Sequence, residues 1–109
     1  MYPKQGEVWW VQLDPTVGSE IKKTRPCAVL SNDVFNRRRN TVVVVPITSN
    51  APESLPLTVA VQGSRVQGVA AIEHLRGVAK ERFTSRYDVL SEDAMERIGK
   101  AVIDLLDLV

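Results

Sequence analysis

Up to residue 90 the apolar positions fall into short alternating or continuous runs; only beyond it do they adopt a helical period. Glu7 to Leu13 alternates, is rich in β-branched and aromatic residues, and follows Gly6, which predicts a strand ended by Asp14-Pro15. Arg25 to Ser31 and Thr41 to Ile47 carry unbroken apolar runs, the pattern of strands buried on both faces. Leu57 to Val61 alternates, Val69 to Ile72 forms another apolar run, and a further strand or bent pair is expected between Gly77 and Leu90. Thr16 to Thr24 has no apolar period and reads as a loop, and Asn32 to Asn40, with Arg37-Arg38-Arg39, as a short turn or connector. After Ser91, Met95, Ile98, Val102, Leu105 and Val109 recur every three or four residues, so a C-terminal amphipathic helix is predicted, with Ser91 as its N-cap and Glu92 and Asp93 in its first turn. The expected architecture is mainly β: five to seven antiparallel strands, strongly bent, closed by one terminal helix.

Composition changes this picture little. At 109 residues, 44% hydrophobic and 25% charged, the chain is expected to form one domain, residues 1–109, with a real core. The longest uninterrupted apolar runs, Val42 to Val45 among them, are far too short to cross a bilayer, and Met1 to Gln5 lacks the apolar stretch of a signal peptide, so a cytoplasmic location is expected, with no membrane partner. One cysteine, Cys27, and one histidine, His74, suggest neither an intrachain disulfide nor a metal site, and no cofactor is expected.

Charge is uneven although the formal net charge is +1. Residues 1–50 carry seven basic and four acidic side chains, residues 51–109 seven and nine, so the first half is +3 and the second −2. The acidity is concentrated in the predicted helix, and a basic face turned away from it would attract a polyanion.

Several common catalytic constellations are missing. Gly63 and Gly68 have the spacing of a phosphate-binding loop, but Val69-Ala70 stands where Lys and Ser or Thr are needed, and neither a G-x-S-x-G elbow nor an H-E-x-x-H pair occurs. What remains is a charged and hydroxylic group of residues: Ser19, Glu20, Lys22, Lys23 and Arg25 before one strand, Thr48 and Ser49 after another. If those strands pair, Arg25 and Thr48 meet at one sheet edge and offer a guanidinium fork and a hydroxyl to a single phosphate. A structural Glu20–Arg25 ion pair is the rival reading.

The ordered set Gly6-Glu7-Val8-Trp9, Leu13-Asp14-Pro15, Gly18-Ser19-Glu20-Ile21-Lys22, Arg25-Pro26, Val29-Leu30, Asn32-Asp33, Asn36-Arg37, Pro46-Ile47-Thr48-Ser49, Ile72-Glu73-His74-Leu75-Arg76 and Arg82-Phe83-Thr84 resembles the MazF/PemK/Kid family of toxin endoribonucleases over nearly the whole chain. The resemblance implies a small SH3-like antiparallel barrel with a C-terminal helix, a homodimer, and metal-independent cleavage of single-stranded RNA at a short sequence. It also implies a cognate antitoxin whose acidic tail occupies the RNA groove. The family's catalytic arginine and threonine fall on Arg25 and Thr48, its loop glutamate on Glu20, and an acidic position on Glu73. Two departures stand out: His74 replaces a glutamine of many members, and Ala71 replaces an arginine that is catalytic in some.

RNA cleavage by its own 2′-hydroxyl requires a base, charge neutralisation at the phosphoryl oxygens and an acid for the departing 5′-oxygen. Arg25 suits the charge, Thr48 the same phosphate or the attacking hydroxyl, and Glu20 the base, provided it is buried enough to work near neutrality. His74 is a candidate acid, histidine being the side-chain type that titrates near pH 7, but a satisfied side chain beside the sheet is the reading favoured for it. Ser19, Lys22, Lys23, Arg37, Ser49, Glu73, His74 and Arg76 are expected to line the RNA, with binding that weakens as salt rises. Of the aromatics that could stack on bases, Trp9, Trp10, Phe35, Phe83 and Tyr87, Trp9 is expected exposed and Trp10 in the core. Two alternatives remain: a topoisomerase-poisoning toxin of the same fold, like the CcdB family, and a non-catalytic RNA- or peptide-binding module.

Overall fold

A computed structural model describes residues 2–14, 18 and 23–108. Among the described residues there are seven strands: β1 (Glu7–Gln12), β2 (Thr24–Val29), β3 (Thr41–Thr48), β4 (Thr58–Gln62), β5 (Gln67–Ala71), β6 (Arg76–Ala79) and β7 (Phe83–Val89). Two helices accompany them, α1 (Asp33–Arg38) and α2 (Glu92–Leu106). Every pairing is antiparallel, in the order β4-β5-β3-β2-β1-β7, with β6 also on β3. The expected bent sheet with a terminal helix is what forms, and the bend between Gly77 and Leu90 is a 3-10 turn, Lys80–Arg82, separating β6 from β7. The strand path is barrel-like but its two ends, β4 and β7, are not paired with each other.

The unbroken apolar runs of β2 and β3 have the physical cause inferred for them: these central strands carry a core on each face. Alternation along a strand sends successive side chains to opposite sides. Val8, Ala28, Val45 and Ile47 enter a first core, which α2 covers with Ala94, Ile98 and Ala101; Val11, Cys27, Val29, Val44 and Val78 form a second core on the other face. The helix begins as predicted, the Ser91 hydroxyl accepting from the Ala94 N–H at 3.1 Å. Its last predicted stripe residue, Val109, lies outside the described residues.

One segment differs from expectation. Asn32 to Asn40, read as a turn, contains α1, and Arg37 and Arg38 form its last turn. The Asn32 side chain accepts from the Phe35 N–H at 2.9 Å, and the buried Asn36 amide donates to the Ser31 carbonyl at 2.9 Å. A polar cap and a polar buried anchor hold this helix, so no apolar period marks it.

Candidate active site

Strand register assembles the site. β2 pairs with β3 through Cys27↔Pro46, Ala28↔Val45 and Val29↔Val44, and continuing that ladder by two residues sets Arg25 opposite Thr48. Both share the side-chain parity of Cys27 and Val44, so both belong to the second-core face, where that face runs out at the ends of the two strands. Both are half-buried, and Ser49 beside Thr48 is exposed. Gly68 fixes the third strand here: a Cβ on it would lie 3.0 Å from the Thr48 carbonyl carbon, so only glycine lets β5 close on β3 at the rung Thr48↔Val69. The glycine that lent the sequence a phosphate-loop spacing serves to seat Thr48.

Arg76 opens β6 opposite Val44, on the same face. Its charge reaches the Cys27 thiol, which burial pushes up to about 12 and which Arg76 pulls back only slightly. The Cys27 thiol, donating to the Arg25 carbonyl at 3.6 Å and felt by Arg76, is thus too protonated to act as a nucleophile. Lys23 is exposed and adopts a left-handed backbone, φ 69°, at the hairpin between β1 and β2, where its carbonyl accepts from the Leu13 N–H at 2.9 Å. The other expected residues are distributed more widely. Exposed Glu73 and half-buried His74 occupy a 3-10 turn between β5 and β6 whose Ile72 enters the first core. Arg37 lies at the opposite end of β3, on α1, its carbonyl accepting from the Lys80 ammonium at 3.4 Å. Ser19, Glu20 and Lys22 fall outside the described residues.

Around the strand ends from Thr48 lies a cleft of about 300 Å³, lined by Trp10, Arg25, Ser49, Arg65, Gln67 and Tyr87 among others. Trp10 and Tyr87 pack with ring centroids 5.0 Å apart and planes at 52°, and the Arg65 guanidinium carbon stands 4.7 Å over the Tyr87 ring. This overturns the expected roles of the two tryptophans. Trp10 faces the cleft, whereas Trp9 packs on the second core, edge-on to Phe83 at 6.0 Å, with its indole N–H donating to Glu7 at 3.0 Å. Burial acts to raise the Glu7 carboxyl, but the Trp9 indole, the Lys4 N–H and the Arg86 guanidinium outweigh it and hold it below the usual carboxylate range.

Arg65 carried no signal in the sequence beyond its charge. Its position comes from Asp88, whose Oδ2 accepts from the Arg65 and Val66 N–H groups at 2.7 and 2.8 Å and whose Oδ1 accepts from the Val89 N–H at 2.8 Å. This carboxylate latch shapes the β4–β5 turn. Burial works against its charge, yet the N–H groups of Val66, Arg65, Val89 and Ser64 prevail and its pKa is lowered.

Comparison with known proteins agrees with this architecture. Residues 4–106 match the family model of the PemK-like, MazF-like toxins of type II toxin–antitoxin systems. The chain belongs to that family. It is 34% identical to endoribonuclease MazF9 of Mycobacterium tuberculosis, over 96% of this chain and 97% of that protein. To endoribonuclease EndoA of Bacillus subtilis it is 32% identical, over 94% and 92%. Among solved structures it superposes on MazF of Deinococcus radiodurans with a TM-score of 0.88 at 25% identity, covering 98% of both chains. A mycobacterial endoribonuclease in complex with its cognate antitoxin shares the fold, with a TM-score of 0.83 at 22% identity over 98% of this chain and 97% of that one. Among the described residues no helix is long and apolar enough to cross a membrane.

Proposed function

We propose that this toxin is an endoribonuclease that cleaves single-stranded RNA without a metal, at the strand ends carrying Arg25 and Thr48. The observation that supports the reading is the β2–β3 register, Cys27↔Pro46, whose continuation by two residues would bring the Arg25 guanidinium and the Thr48 hydroxyl opposite one another on one face. In the proposed reaction the ribose 2′-oxygen bonds to the adjacent phosphorus while the bond from phosphorus to the 5′-oxygen breaks. The products are a 2′,3′-cyclic phosphate and a free 5′-hydroxyl. Arg25 neutralises charge growing on the phosphoryl oxygens, and Thr48 donates a hydrogen bond to the same group. Glu20 takes the 2′-proton and His74 returns one to the leaving oxygen. The nucleophile belongs to the substrate, so the chemistry has no need of a metal-activated water.

Lys23, Ser49 and Arg76 hold flanking phosphates and sugars near the cut, with Lys22 and Ser19 as further RNA contacts, and Arg37 and Glu73 contact the chain farther away. The active species is a homodimer. A cognate antitoxin neutralises it by laying an acidic segment along these cations, as expected for a groove built to take phosphate. The location that follows is the cytoplasm, where messenger RNA is available.

The test is digestion of a long single-stranded RNA with excess chelator, followed by end mapping. Cyclic phosphate and 5′-hydroxyl ends are expected, and Arg25→Ala and Thr48→Val should each lower cleavage at least 100-fold, about 2.7 kcal/mol of transition-state stabilisation, with unchanged circular dichroism. Intact RNA with wild-type protein would reject the nuclease in favour of a toxin that acts by protein contact.

A further inference from the structure

The Trp10–Tyr87–Arg65 cleft adjoins the proposed reaction site and shares Arg25 and Ser49 with it, but the aromatic rings, Arg65 and Gln67 have no part in the reaction just described. We propose that it is a nucleobase pocket: one unpaired base of the RNA substrate stacks against this aromatic and guanidinium shelf, and Gln67 reads its edge. The inference deepens the ribonuclease reading and rests on it.

Three features favour a base over other occupants. First, the shelf offers two half-buried ring systems and a guanidinium plane in sequence, the surface on which proteins stack splayed RNA bases. Second, a volume of about 300 Å³ is at the small end of ligand pockets and suits one flat ring. Third, Gln67 and Ser49 line the same space, and a carboxamide presents a donor and an acceptor side by side, the pattern needed to pair bidentately with a base edge. Arg25 lines the cleft, and the β2–β3 ladder continued by two residues brings it opposite Thr48, so the strand ends connect this pocket with the proposed cleavage site and a base seated here would belong to a nucleotide near the cut. The pocket is also preorganised. The Asp88 latch fixes the Arg65 backbone, and the Arg65 carbonyl accepts from the Tyr87 hydroxyl at 3.4 Å.

Arg65 and Gln67 are exposed, so replacing either leaves the core untouched. The experiment measures equilibrium binding of full-length protein to an RNA containing its mapped cleavage sequence, made uncleavable by a 2′-deoxy nucleotide at the cut. A matching set carries an abasic nucleotide at each flanking position in turn. The expected result is that one abasic position weakens wild-type binding about 5- to 100-fold, the usual effect of losing one stacked base. Arg65→Ala should lose most of that difference, binding intact and abasic RNA alike. Gln67→Ala should keep the stacking difference but relax the base preference at that nucleotide in cleavage mapping. Equal binding of every abasic RNA by the wild type, or variants that retain both the difference and the preference, would overturn the pocket. Such a failure with chelator-resistant cleavage intact leaves the ribonuclease reading standing. Failure to bind or cut any RNA rejects both.

Discussion

Gly63 and Asp88 make the latch that positions Arg65 open to a quantitative test. A Cβ added to Gly63 would lie 2.8 Å from the Asp88 carboxyl carbon, closer than real contacts, and the backbone there is not left-handed, so the atoms nearest an alanine methyl are those of the carboxylate. The side chain of Asp88 would have to swing away, releasing three N–H partners at 2.7, 2.8 and 2.8 Å. Charge-assisted bonds are worth more than neutral ones, but this site is open to water, which offers the freed groups new partners, so the loss should come to about 1–2 kcal/mol in total. In Gly63→Ala, about 0.4–1 kcal/mol is returned through the stiffer unfolded chain. Asp88→Ala should therefore lower the melting temperature by roughly 4–10 °C and Gly63→Ala by less. The double variant should match Asp88→Ala alone or exceed it in stability, because the latch is lost once. Its carboxyl is held below the unfolded value, so the contribution is complete above the unfolded aspartate pKa of about 3.9 and disappears as pH falls through the lower folded value. Urea titrations of the four proteins at pH 7 and at acid pH supply the cycle. Strictly additive losses at pH 7, or an Asp88→Ala penalty that persists at pH 2, would refute the latch.

Three further outcomes follow from packing. Ile98, fully buried where α2 meets the sheet, should cost about 2–5 kcal/mol on truncation to alanine, measured by urea unfolding; a loss below 1 kcal/mol would mean the helix is not seated on the first core. Cys27, with its thiol pushed up to about 12, should resist a disulfide reagent at pH 8 in the native protein and react on denaturation, and rapid native labelling would contradict its burial. Edge strand β4 has its Ala60 N–H capped by Glu53 at 2.9 Å and its Ala60 carbonyl by Arg97 at 2.8 Å. The double replacement Glu53→Ala with Arg97→Ala should raise light scattering with concentration above the parent's, by uncovering a strand edge; unchanged scattering would show the caps to be incidental.

How much of this was legible before the coordinates depends on the kind of force involved. Strands and the long helix announce themselves through periodicity, because burying apolar surface is what selects them. Even the two-faced burial of β2 and β3 was written in their unbroken runs. Arg25 and Thr48 were proposed as a pair because their meeting needed only that the two strands carrying such runs pair, and β2 does pair with β3. Helix α1 was missed because six residues are too few to show a period and its hold is polar, through Asn32 and Asn36. The one available signal was Asn32 itself, a good N-cap placed before Asp33.

The tryptophans show where alternation stops being informative. Parity assigns Trp10 to the face of Val8, and so to the core, but a core has an end, and the strand carries Trp10 past it to Tyr87. Trp9, on the other face, would be exposed if that face were wet; instead the second core, Phe83 and Glu7 receive it. Which ring faces solvent is thus decided by where each core runs out along the strand, a long-range property of the sheet. Arg65 is more remote still, since its place depends on a carboxylate twenty-three residues away. The proposed reactive pair depends on backbone pairing, the β2–β3 ladder continued by two residues, while the adjoining cleft is set by side chains that cross between hairpins. The first kind of site survives substitution around it so long as the register holds. The second is free to change through single exposed residues such as Gln67, so the base pocket proposed above would let a toxin of this build keep its chemistry while altering the sequence it cuts.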